Sequence, residues 1–161
     1  MKDRCYRRDY QERHDIDWFA VYKEVPIHVA SNGGFLPKQI KKTQNKRLQS
    51  LFSSEEMRRN EVRVNEVWIQ RLQRMRRDDA KGAEYPDFDV DLYLQSFIDF
   101  ASKGFVSIDN AFIGDKQNYV IVAYPNDRAN LLDVENLLHR EINMPIIYEM
   151  ALLDIEINEL W

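Results

Sequence analysis

The alternation of apolar and polar side chains between residues 15 and 31 is the clearest pattern in the chain. Ile16, Trp18, Ala20 and Tyr22 fall on one face of an extended segment, with Asp17, Phe19 and Val21 on the other. Val25, Ile27 and Val29 repeat the alternation against Pro26, His28 and Ala30. Two such runs either side of Lys23-Glu24 predict a β-hairpin of 15–22 and 25–31. Its first strand carries apolar groups on both faces, so it is expected to be covered twice, by helices on one side and by a partner or the chain's own arm on the other. Pro26 lacks the N–H of a central strand, and the second run is expected to begin at an edge or to start just after it.

Beyond the hairpin the period changes. Ser31-Asn32-Gly33-Gly34 reads as a sharp turn, and Pro37 opens a predicted helix over 37–52 whose stripe is Ile40, Leu48, Leu51 and Phe52. Ser53 and Glu56 have capping-box spacing ahead of a second helix with Val64, Trp68, Leu72 and Met75 on its inner face. The strand-like Val62-Arg63-Val64 leaves the start of that helix open. At about 100° per residue, Arg59, Arg63, Arg74 and Arg77 share a neighbouring face of it. The apolar period lapses into a surface connection near 77–88. A third helix follows over 90–103, with Val90, Leu94, Phe97, Ile98 and Ala101 inward and Gly104 as its stop.

The last third reads as a short strand at 105–108, turns at Asp109-Asn110 and Gly114-Asp115, and a strand at 119–124 whose unbroken apolar run predicts the sheet centre. A helix over 131–140, capped by Asn130, precedes an extended tail in which Leu153, Ile155 and Ile157 alternate with polar residues. The sum is an α+β fold in a single domain, 15–161, preceded by an arm at 1–14. It has an N-terminal β-hairpin, a central helical cluster and a small, mainly antiparallel sheet of four to five strands.

At 161 residues and 44% hydrophobic content the chain can bury a core of ordinary size. The arm holds Lys2, Arg4, Arg7 and Arg8 without an apolar run, and no stretch is long enough to cross a bilayer, so a cytoplasmic protein without membrane contact is expected. The single cysteine, Cys5, excludes an internal disulfide. Charge is uneven: residues 1–80 hold 18 Lys and Arg against 12 Asp and Glu, and residues 81–161 hold 5 against 15. Such asymmetry suits a basic surface for nucleic acid or polar ends that attract one another, unless the two halves interleave in space.

No catalytic signature emerges. His14, His28 and His139 lack metal-ligand spacing, so no catalytic, metal-binding or cofactor-binding residue is assigned and no cofactor is expected. The acidic run around Asp87–Asp91 lacks a full calcium loop and reads as helix-capping. Asp15 and Asp17 share one strand face and read as a solvated edge, although such a pair can hold Mg²⁺ or do acid–base work. His28 reads as a packed polar side chain. A candidate anion site is Asn32, Gly33, Gly34 and Lys38, where a glycine turn leads into a helix. A candidate interaction ridge is Arg59, Arg63, Arg74 and Arg77. The expected function is a noncatalytic binding or structural subunit of a larger protein assembly, a viral or phage particle being one form, with protein partners or self-association through charge-polarised surfaces. The alternative is a nucleic-acid-associated regulator using the basic half, and the third reading a small hydrolase or transferase at the Gly33-Gly34 turn.

Overall fold

The hairpin forms as β1 (Asp17–Tyr22) and β2 (Val25–Ala30), in antiparallel register from Asp17↔Ala30 to Tyr22↔Val25. Lys23 and Glu24 take φ of 47° and 65°, the positive values that match a two-residue turn to the strands' twist. The computed structural model describes residues 2–79, 88–113 and 116–161, with side chains at 77–79, 112, 113 and 116 left aside. A six-stranded mixed sheet is built outward from the hairpin. Its order is β3 (Val62–Val64), β5 (Lys116–Pro125), β4 (Val106–Ile113), β2, β1 and β6 (Ile146–Ile147). The fold is α+β, as the periodicities predict, but β2–β4 and β1–β6 are parallel pairs. The chain leaves β2 through helices before it returns as β4, and a long crossover of that kind permits a parallel neighbour.

Pro26 does not place β2 at an edge. Pairing with β4 begins at Ile27↔Val106, one residue past the proline, so that ladder never calls on the missing N–H. The apolar strand β5 lies second from the edge rather than at the centre, flanked by β4 and the short β3. Its run is apolar because both of its faces are covered, Val120 through Ala123 being buried throughout.

Three helices, α2 (Lys42–Phe52), α3 (Glu66–Asp79) and α4 (Val90–Ser102), lie on one face of the sheet. Leu48 and Phe52 of α2 meet Phe19, Phe105 and Leu137, the last from α5 (Val134–His139). Trp68 and Leu72 of α3 join Leu94, Phe97 and Ala101 of α4 over Val120 and Val122. The opposite face is covered by the chain's two ends, where Tyr6, Ile147, Met150, Ile157 and Leu160 pack on Trp18, Ile27, Val29 and Ile108. Both faces of β1 are thus buried within one chain. Residues 8–13, which show no sequence period, form the short helix α1 (Arg8–Arg13), and Gln11 ties it down by bonding the Tyr6 carbonyl and the Leu36 N–H at 2.8 and 2.7 Å.

Several boundaries move for reasons of hydrogen bonding. The helix predicted from Pro37 starts at Lys42, after a turn closed by Ile40 N–H on the Pro37 carbonyl. The Asp3 carboxylate accepts from Thr43 and Gln44 N–H at 3.0 and 2.9 Å and so caps α2 from far away in sequence. No helix follows Ser53. Residues 62–64 pair with β5 instead, and Asn65 caps α3 by accepting from Trp68 N–H. Asp89 caps α4, and the helix stops where Gly104 takes a φ of 101°. A Cβ there would lie 2.6 Å from the Leu132 nitrogen, so glycine is required for space as well as for conformation. On α4, Ile98 is exposed rather than inward. Asp109-Asn110, predicted as a turn, lies inside β4, and the Gly114-Asp115 turn falls outside the described residues. Asp133 rather than Asn130 caps α5. The tail is not a strand. It turns at Asp154 and ends in a 3-10 turn over Ile157–Glu159 with Ile157 fully buried.

Candidate functional site

Register sets Asp17 beside Ala30, and Ala30 beside Asp109. Residues in register on neighbouring strands face the same way, and strands lie about 4.8 Å apart, so the two aspartates flank one alanine with Cα atoms about 10 Å apart. Ala111, two positions further along β4, adds a second small side chain. Above this floor α3 supplies Trp68, Leu72, Met75 and Arg76, and α4 supplies Tyr93, Ser96 and Phe97. Asp15 and Asn32, both exposed, complete a cleft of about 470 Å³, a volume within the range of small-ligand sites. The methyl side chains at 30 and 111 leave the space open, where larger residues would fill it against the helices.

Two hydrogen-bonded chains hold the acidic groups. Trp68 Nε1–H donates to the Tyr93 hydroxyl at 3.0 Å, and that hydroxyl donates to Asp109 Oδ2 at 2.8 Å. Asp109 is only 8% exposed. Burial pushes its carboxyl up to about 6, the Tyr93 hydrogen bond opposes the rise and the Asp15 charge adds to it. The Tyr93 phenol is raised as well, by burial and by the Asp109 charge. In the second chain His28 Nε2–H donates to Asp17 Oδ1 at 2.7 Å, and Nδ1 shares a 2.7 Å hydrogen bond with Ser107 Oγ. The His28 ring stacks on Phe100 with centroids 4.0 Å apart. Ser, His and Asp in line invite comparison with a nucleophilic triad, but Ser107 and His28 are fully buried. Substrate has no path to that hydroxyl, and the network serves to orient Asp17, whose carboxylate is half-exposed.

The candidate anion residues are dispersed in role. Asn32 N–H is taken by Asp15 Oδ1 at 2.8 Å, and Gly34 N–H by the Ser31 carbonyl. Gly33 has a φ of 76°, and Lys38 is exposed on the turn before α2. The nearby helix terminus is filled by Asp3, whose carboxyl is held below its ordinary value chiefly by the Thr43 N–H. The protein's own acceptors, the Asp15 and Asp3 carboxylates and the Ser31 carbonyl, therefore take the N–H groups of Asn32, the α2 terminus and Gly34. The four ridge arginines do not share a helix. Arg59, in the loop after α2, pairs with Asp99, and Arg63, on β3, bonds Asn126. Arg74 is exposed on α3, and the Arg77 side chain lies outside the described residues. Among the described residues no group of three acidic, histidine or cysteine side chains is placed to hold a metal ion.

Asp109, Tyr93, Trp68 and Arg76 carry no functional mark in sequence order. One signal was present: in Val106-Ser107-Ile108-Asp109-Asn110-Ala111 the two-residue alternation runs straight through the apparent turn, with small or polar residues on one side. No protein-family model, curated protein or solved structure matches the chain. The fold and cleft define an α+β domain with an acidic, aromatic-walled recess between a mixed sheet and two helices.

Proposed function

We propose that this protein is a noncatalytic binding subunit and that its recognition site is the cleft between β1, β2, β4 and the helices α3 and α4. One observation carries the reading. Across three adjacent strands the sequence places Asp17, Ala30 and Asp109, leaving a recess with polar groups on its floor and aromatic groups on its walls. This is the usual composition of a binding site. The first expectation, attraction between two oppositely charged ends, draws less support from the fold. The basic and acidic halves of the chain interleave in one sheet, and the ion pairs Lys23–Glu156, Arg59–Asp99 and Arg71–Asp154 join them.

Ser96 is exposed on α4 at the cleft, so Ser96→Trp narrows the recess without touching the core. Any oligomer or partner complex formed by the wild type, measured as native mass by light scattering, is expected to be lost in Ser96→Trp with the thermal melt unchanged. A complex that persists in the variant refutes the cleft as the recognition site.

A second reading, an acid–base enzyme, is favoured by a specific convergence: Asn32, Asp15 and Asp17 line the same recess as a carboxyl poised near 6. Turnover of chromogenic ester, phosphate or glycoside substrates that disappears in Asp109→Asn would establish it. The nucleic-acid alternative rests on Lys42, Lys46 and Arg47 along the outer face of α2. Salt-sensitive binding of duplex DNA lost in Lys46→Glu would support it.

A further inference from the structure

We infer that the occupant of the cleft is a positively charged group on an apolar stem, the side chain of an arginine or lysine presented by a protein partner. The inference rests on the binding reading above and names the chemistry of the same site. Three carboxylates face the recess against one guanidinium, that of Arg76, which lies over the Phe88 ring with its centroid 5.5 Å away. The carboxylates differ in what they have left to give. Asp109 is buried and committed to Tyr93, whereas Asp15 and Asp17 are open to solvent at the mouth and each engages the protein through Oδ1, with Asn32 N–H and His28 Nε2–H respectively. Their outward oxygens can accept charge-assisted hydrogen bonds from a cation. The stem of such a side chain is apolar, and Trp68, Leu72, Met75 and Phe97 supply an apolar wall for it. An anionic group would meet Asp15 and Asp17 first, with Arg76 as the one opposing charge among the lining residues. A purely apolar group would bury the mouth carboxylates unpaired.

The test is an amide-resolved NMR titration of the full chain with capped amino acids: Nα-acetyl-arginine amide, Nα-acetyl-lysine amide, Nα-acetyl-norleucine amide and Nα-acetyl-glutamate amide. Saturable shifts at Ala30, Ala111 and the Trp68 indole N–H are expected with the arginine or lysine derivative and not with the other two. The Asp15→Asn/Asp17→Asn protein keeps both Oδ1 contacts and is expected to bind the cation about tenfold more weakly or worse, since a hydrogen bond to a charged group is worth on the order of a factor of ten or more. Binding of the norleucine or glutamate derivative alone at these positions overturns the cation class and leaves the cleft as a site. Shifts from none of the four at any cleft residue overturn both the inference and the reading it rests on. Equal cation affinity in the double variant also overturns the inference, because the mouth carboxylates would then carry no part of the recognition.

Discussion

Replacing Asp109 by asparagine isolates the electrostatic cost that the cleft imposes on the fold. Burial raises this carboxyl from 3.8 to about 6, so the folded protein holds the proton more tightly than the unfolded chain does. Its contribution to stability is therefore greatest below pH 4, declines as the pH rises from about 4 to about 6, and stays at its lowest above that. Two pH units at about 1.4 kcal/mol each give a decline of about 3 kcal/mol. Asparagine keeps an oxygen to accept from the Tyr93 hydroxyl and does not titrate. Relative to wild type, Asp109→Asn is expected to change stability little at pH 4 and to be more stable by up to about 3 kcal/mol at pH 7. Asp99 runs the other way: burial works against its charge, but Lys103 and Arg59 hold its carboxyl below the ordinary value, so its contribution is present near neutrality and lost on acidification. That term is common to both proteins and cancels in the difference. Urea denaturation at pH 4, 5, 6 and 7 measures the difference directly. A difference constant across this range would refute the reasoning, because Asp109 would then ionise as an exposed carboxylate does.

Four further outcomes follow from other parts of the structure. Phe19, fully buried against Phe52, Phe100 and Phe105, is expected to cost about 3 to 5 kcal/mol as alanine in the same denaturation assay. Lys103, 4% exposed, donates to the Phe52 carbonyl at 2.8 Å and to Asp99 at 2.9 Å; Lys103→Met strands the buried Phe52 carbonyl, while Asp99 keeps Arg59 and solvent, and is expected to cost about 1 to 3 kcal/mol. A Cβ on Gly34 would lie 2.2 Å from the amide of the buried Asn110 and 3.0 Å from the Ser31 carbonyl, so Gly34→Ala is expected to lower stability by about 1 to 3 kcal/mol. Glu24 holds a φ of 65°, and Glu24→Gly is expected to raise the melting temperature, by relief of about 0.5 to 1 kcal/mol of backbone strain.

The hairpin was legible because its information is local. Alternation from Ile16 to Tyr22 and from Val25 to Ala30 determines which side chains share a face, and the apolar character of both faces already called for cover on each side. The same locality made Trp68, Leu72, Leu94 and Phe97 readable as helix faces, since a 3.6-residue period shows itself over about three consecutive turns of chain. Tertiary structure decided what local pattern cannot express. Asp109-Asn110 has turn chemistry, but extension of β4 between β2 and β5, and a hydrogen bond from Tyr93, hold it in a strand. Asp3 caps a helix it does not adjoin in sequence, and Asn65 begins one only after β3 has paired with β5. The cleft itself is a matter of register. Asp17, Ala30 and Asp109 become neighbours because β1, β2 and β4 lie side by side, and a slip of one residue in either pairing would turn an aspartate to the opposite face. Sequence determined the side chains and the periods, whereas the long-range ladder decided which of them meet.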